Sequence, residues 1–193
     1  MEEKIFSPRP VECYYILCFA GEENWNITDA ISAILIDLYD RNLIVPATFK
    51  SVETISGYPG LNCSGPRHYE ELIMMAIKAK NYIALVDIAN NINFRSLLLK
   101  TGLLEKKLVG IRFFRRRKIF ISSAGDNLVH SLLIARESHR HKEENHGYFD
   151  LPSLARFPSL QRKLPVMTFF HDYAAEAVFQ YSCRYSSCYH QGR

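Results

Sequence analysis

Residues 83–121 read IALVDIANNINFRSLLLKTGLLEKKLVGIRFFRRRKIFI. Apolar side chains recur at helical spacing through Ile83–Asn90 and again through Ile92–Thr101. Gly102 then stands where a helix closes in the left-handed conformation, which glycine adopts without a steric penalty. Beyond it, Leu103–Val109 and Ile111–Ile121 alternate on either side of Gly110 as two strands of a hairpin, with Arg115-Arg116-Arg117 blurring the alternation near the tip. Just upstream, Tyr69, Leu72, Ile73, Ala76 and Ile77 line one face of a helix to about Lys80, which Ser64-Gly65-Pro66 opens with a capping residue and a first-turn proline. Three helices followed by a hairpin are the order of a winged helix. The predicted fold is mainly α with a small β-hairpin, a winged-helix-like three-helix core plus peripheral helices.

Working outward, Ile27, Ile31, Ile34, Leu35 and Leu38 predict a helix over about 29–42, started by Thr28 and Asp29. The apolar run Val11–Ala20 fits either a buried strand or a short helix. Leu43-Ile44-Val45 leads through Pro46 to a predicted short strand at Thr48–Ile55, and a Gly- and Pro-rich loop runs from there to Pro66. After the hairpin, Ser123 or Asp126 caps a helix to about Arg136 that turns Leu128, Val129, Leu132 and Leu133 inward. Residues 137–147 are polar and nearly free of apolar anchors, which makes 137–152 a linker between a domain at 1–136 and a C-terminal helix and tail at 153–193. In that last part Phe170, Tyr173, Ala174, Ala177, Val178 and Tyr181 predict a helix over about 168–181, and Cys183–Arg193 carries no interpretable pattern.

The 193 residues suffice for one domain or two small ones with a real core. A hydrophobic share of 48% with 23% charged residues excludes wholesale disorder and collagen-like repeats. Lys and Arg number 24 against 20 Asp and Glu, and a net charge of +4 is too small to indicate a nucleic-acid binder by composition. The longest early apolar window, Cys13–Gly21, is about half what a membrane-spanning helix needs. Met1-Glu2-Glu3-Lys4 is acidic where a secretory signal is basic, and the five cysteines lack the spacing of a disulfide framework. Reduced thiols and a cytoplasmic location are expected.

The sharpest chemical feature is Lys106, Lys107, Arg112, Arg115, Arg116, Arg117 and Lys118, a run of cations without an acid, interleaved with Leu108, Val109, Ile111, Phe113 and Phe114. Guanidiniums bind phosphate oxygens bidentately, and neighbouring aromatics can enter a headgroup layer or stack on bases. The same residues also fit a solvated edge that discourages strand aggregation while Phe113 and Phe114 fill a core. Arg95, behind Asn90, Asn91 and Asn93, is followed only by Ser96 and Lys100, a thin set for a helix that reads bases. Trp25 lies in the polar turn before the first predicted helix, placed either to close a core or to rest at a membrane interface.

His139, His141 and His146 with Glu143 and Glu144 are metal-ligating types in a segment without a supporting shell, so no metal or other cofactor is expected. Cys183, Cys188 and His190 are not spaced as a zinc finger. No nucleophile elbow, phosphate-cradling glycine loop or metalloprotease helix motif occurs, and His171 and Asp172, adjacent on a helix, point apart. A non-enzymatic role is expected.

Tyr15-Ile-Leu-Cys-Phe19, Ile34-Leu-Ile-Asp-Leu-Tyr-Asp-Arg-Asn-Leu-Ile44, Ser64-Gly-Pro-Arg-His-Tyr-Glu-Glu-Leu72 and Leu99-Lys-Thr-Gly-Leu-Leu-Glu-Lys-Lys107, with Phe113-Phe114 and Lys118-Ile-Phe120, follow one another in an order that resembles the Golgi phosphoprotein 3 family over about residues 12–135. The resemblance implies a peripheral protein that binds phosphatidylinositol 4-phosphate or another anionic lipid at the cytosolic membrane face, with the 103–121 hairpin serving membrane contact or self-association. It makes Trp25 the counterpart of the family's lipid-pocket tryptophan. Where the family has paired arginines this chain has Asn91 and Asn93, with Arg95 as a displaced substitute. The expected function is thus an anionic-lipid adaptor acting through Lys106–Lys118, Arg95 and Trp25, with the basic residues projecting as one charged prong. The alternative is a winged-helix DNA-binding regulator whose hairpin tracks phosphates.

Overall fold

The computed structural model describes residues 8–48, 51–55, 67–110, 115–140 and 164–189. Among these, helices dominate, joined by two antiparallel two-stranded sheets. They fall into two compact units, each discontinuous in sequence. Unit 1, from Met1–Asn24 and Asn93–Phe157, holds α1 (Pro10–Ala20), α5 (Phe94–Lys100), β3 (Leu104–Val109), β4 (Arg116–Ile121) and α6 (Ser123–Arg140). Unit 2, from Trp25–Ile92 and Pro158–Arg193, holds α2 (Ile27–Asp40), β1 (Ile44–Thr48), β2 (Ser51–Thr54), α3 (His68–Lys78), α4 (Tyr82–Asn91) and α7 (Leu164–Tyr189).

In unit 1 the apolar run left open between strand and helix is α1. Pro10 sits at its first position, where a missing N–H is no loss, and the Glu12 carboxylate accepts the Arg9 N–H at 3.0 Å. Gly21, at φ 83°, ends it. Val11, Glu12, Cys13, Tyr14, Ile16 and Leu17 are all buried, so the helix is enclosed nearly all round and its sequence has no 3.6-residue period to read. Cys13, Ile16 and Leu17 meet Leu98 of α5, Leu103 and Leu104 at the hairpin's base, and Leu128 and Leu132 of α6. The three helices that share this core with the hairpin are α1, α5 and α6. Of the three consecutive helices expected to form a winged-helix-like core, α3 and α4 belong to unit 2. That expectation is corrected to a mainly helical fold with a small hairpin, because the apolar side of α5 and of the hairpin base is covered by α1 and α6.

The join from α5 to the hairpin to α6 is made by short-range bonds. Gly102 takes φ 74°, as its position predicts. Ser122 caps α6, one residue before the expected Ser123 and well before Asp126: its hydroxyl accepts the Gly125 N–H at 3.1 Å and donates to the Gly102 carbonyl at 2.6 Å, while its N–H donates to the Leu103 carbonyl at 3.1 Å. Gly125 has to be glycine here, because a Cβ would overlap the Leu103 carbonyl oxygen and come within 2.6 Å of Ile121 Cγ2. Past Arg136 the apolar anchors end, yet α6 runs on to Arg140, since each added residue needs only one further backbone bond. The rest of the expected linker, 141–152, lies outside the described residues.

Unit 2 is built on α2, whose Ile31, Ile34, Leu35 and Leu38 are buried. Its cap is Asn26, accepting the Thr28 N–H at 2.9 Å, ahead of the expected Thr28 and Asp29. The strand expected at Thr48–Ile55 is β2, Ser51–Thr54, and a further strand, β1, precedes it although it contains Pro46, which cannot donate to a ladder. Here Pro46 stands opposite Val52 in an isolated two-stranded sheet that becomes irregular just beyond it. The stripe on α7 packs against α2 and α4, with Phe170 5.5 Å from the Tyr39 ring and Tyr173 5.3 Å from that of Tyr82. It begins before Thr168 and continues through residues that carry no apolar pattern. No helix of the described residues is long and apolar enough to cross a membrane.

The polar exception in unit 2 is an ion cluster. Arg41, at the end of α2, reaches Asp37 at 2.7 Å and Glu70 at 2.9 Å, and Glu70, 1% exposed, also accepts the Arg67 N–H at the start of α3. Burial would lower the Arg41 pKa, but the two carboxylates outweigh it and hold the guanidinium above its ordinary value. Arg41→Met removes the cation that both carboxylates contact and is expected to cost about 3 kcal/mol, read as a lower urea midpoint. Gly125→Ala is expected to cost about 2 kcal/mol net, overlap of up to about 3 exceeding the roughly 1 gained in helix propensity. An unchanged melting temperature for either variant contradicts the packing described here.

Candidate functional site

Of the cations in the run that the sequence singles out, Arg115 immediately precedes β4, and Lys106, Lys107, Arg116, Arg117 and Lys118 stand on the β3–β4 ribbon. Its ladder pairs Leu104 with Ile121, Glu105 with Phe120, Lys106 with Ile119, Lys107 with Lys118, Leu108 with Arg117 and Val109 with Arg116. Because side chains alternate between the two faces of a strand, these pairs divide into two sets. One face carries Leu104, Lys106, Leu108, Arg117, Ile119 and Ile121. Its base is anchored, with Leu104 buried and Ile119 and Ile121 packed on the unit 1 core. The other face carries Glu105, Lys107, Val109, Arg116, Lys118 and Phe120.

The run is thus a ribbon with positive charge on both sides, and the expectation of one prong is corrected by the pleat: Arg116 and Arg117 are neighbours in sequence and point oppositely. Lys106, Lys107, Arg115, Arg116, Arg117 and Lys118 are all exposed. Among the described residues, Lys107 is the one of these six with an ion pair, to Glu105 at 2.7 Å. Arg112, with Ile111, Phe113 and Phe114, lies outside the described residues. Toward the tip Leu108 is 62% exposed and Val109 is exposed as well, and Phe120 is exposed near the base.

Two features escape a reading of the charge run alone. Glu105 sits one residue outside the acid-free stretch, and two-residue spacing on one strand is what returns it to the face of Lys107. Lys107 and Lys118 stand directly opposite, a like-charged pair that destabilises the ladder in isolation. Strand alternation combined with the hairpin register is the signal that finds both.

The other candidates are placed separately. Arg95 is exposed in unit 1, near the start of the seven-residue α5, with its guanidinium 5.9 Å above the Phe19 ring. Asn93 caps that helix by accepting the Ser96 N–H at 2.9 Å, and Phe94 and Leu98 face the core. Trp25 belongs to unit 2, at 41% exposure, immediately before the Asn26 cap. Of the metal-ligating types, His141, Glu143, Glu144, His146 and His190 lie outside the described residues, and Cys13, Cys18 and Cys183 form no disulfide among the described residues.

Comparison of the chain with protein-family models, with curated proteins and with solved structures finds no match. The ribbon itself must therefore carry any functional argument. If its charge is held at the expense of stability, Lys118→Thr raises stability by about 0.5–1 kcal/mol at low salt. The electrostatic part of that gain disappears at high salt, where charges a few ångströms apart are screened. Thermal melts at both salt concentrations read this, and a gain independent of salt contradicts it.

Proposed function

We propose that the protein is a non-enzymatic peripheral adaptor that binds anionic lipid headgroups at the cytosolic face of a membrane. This is the role implied by the resemblance to the Golgi phosphoprotein 3 family, with phosphatidylinositol 4-phosphate as its headgroup. The observation that carries the reading is the β3–β4 ribbon: six exposed cations against one acid, with exposed Leu108 and Val109 toward its tip. A cation near an anionic bilayer contributes about 1 kcal/mol, so Arg115, Arg116, Arg117 and Lys118 together contribute about 4 kcal/mol, roughly a thousandfold in affinity. Burying Leu108 in the interface adds about 1.5–3 kcal/mol. These sums describe reversible, salt-sensitive attachment.

Arg95, close to the aromatic side chain of Phe19, and the exposed indole of Trp25 are secondary contacts in this reading. The lipid reading is preferred to duplex DNA because α5 exposes little beyond Arg95 and Lys100 for reading base edges. Self-association through the 103–121 hairpin is opposed by the charge on β4 until anions neutralise it. We place it after membrane attachment.

Vesicle sedimentation tests the reading. The protein is expected to pellet with vesicles containing phosphatidylserine or phosphatidylinositol 4-phosphate and to stay in solution with phosphatidylcholine alone. Changing Arg115, Arg116 and Arg117 together to Ala lowers anionic-vesicle binding by about a hundredfold, from three lost contributions of about 1 kcal/mol each. Equal binding to neutral and anionic vesicles overturns the proposal.

A further inference from the structure

The two faces of the ribbon carry similar charge in different surroundings. On the face anchored to the core, Lys106 and Arg117 are separated by Leu108 and Ile119, and their positions are diagonal rather than opposite. On the other face Lys107 lies directly across from Lys118, with Cβ atoms of such pairs about 5 Å apart, and Arg116 follows two residues from Lys118 along the same strand. Three cations thereby converge on one patch, and Glu105 neutralises one of them. Arg116 and Lys118 have no ion pair among the described residues, and the patch keeps two uncompensated positive charges.

We infer that Lys107, Arg116 and Lys118 form a single binding site for closely spaced phosphates. The ligand is a headgroup that bears a phosphomonoester beside its diester, or a free polyphosphate. A like-charged pair directly across a ladder is unfavourable alone and becomes favourable when one multivalent anion bridges it. Arg116 supplies the planar, bidentate contact, and the two lysines supply compact charges on either side of the ladder. Glu105 acts as a competitor for Lys107, displaced when phosphate binds. The apolar-flanked pair Lys106 and Arg117 has no such convergence and senses only the general field of a surface.

This inference deepens the anionic-lipid reading and rests on the ribbon being its contact. The test uses the full chain and two matched double variants that each remove one Arg and one Lys: Arg116→Gln with Lys118→Gln, and Lys106→Gln with Arg117→Gln. All four side chains are exposed, so neither pair disturbs the core. Binding of inorganic tripolyphosphate is measured by calorimetry, and vesicle binding is measured in parallel with phosphatidylinositol 4-phosphate in phosphatidylcholine.

The first pair is expected to weaken tripolyphosphate about tenfold or more and the second less than about threefold, because charge-assisted bonds are lost only in the first. Glu105→Gln is expected to strengthen it by about threefold by releasing Lys107, a gain that misfolding cannot produce. Equal losses from the two pairs, no gain from Glu105→Gln, or no binding of tripolyphosphate by the unaltered protein overturns the inference. Vesicle binding that persists through any of these leaves the membrane reading standing. Tripolyphosphate binding without vesicle binding overturns the membrane reading and keeps the phosphate site.

Discussion

The arrangement of unit 1 depends on the closure of its hairpin at Ser122. One residue joins three elements: its hydroxyl donates to the carbonyl that follows α5 and accepts the Gly125 N–H in the first turn of α6, while its own N–H donates to the Leu103 carbonyl. Gly125 lets α6 approach until only a hydrogen separates its backbone from that carbonyl. With the base held this way, Leu104, Ile119 and Ile121 turn one side of the ribbon toward the core. The register then distributes every later side chain, because a one-residue slip would exchange the two faces. The distribution of cations follows from an apolar anchor at the opposite end of the strands.

Charge on the ribbon is tolerable because it is exposed. Each cation is exposed, and repulsion between those more than about 10 Å apart is largely screened at ordinary salt. Unit 2 shows the contrasting case. Arg41 and Glu70 are removed from water and are sustained by short, direct bonds to each other and to Asp37. That cluster ties the end of α2 to the start of α3 and is spent on structure. The ribbon's cations have no comparable set of partners among the described residues, which is what makes them available to a ligand.

Much of this was legible in the residues. The helix α3, with one apolar face, announces itself by period, as does α2 through the spacing of its large apolar residues even though Ala30–Ile36 are all buried, and the α5–Gly102–hairpin succession is written in glycine placement and strand alternation. Less legible were the elements whose determinants are local exceptions. The helix α1 is buried on nearly every side and shows no period, and β1 contains a proline that an isolated two-stranded sheet accommodates. Caps moved to Asn26 and Ser122 because the residue that accepts the N–H is set by where the chain bends, and several adjacent side chains could have served.

The sequence by itself determined that seven cations fall between Lys106 and Lys118 without an acid and that the fold is mainly helical, since both follow from residue type and short-range spacing. Only the tertiary structure decided which cations share a face, that Lys107 meets Lys118, and that Glu105 compensates the first. Those facts depend on strand register, and register is set by Leu104 and Ile121 seating against residues from α1, α5 and α6, which meet them only after long stretches of chain have been brought together.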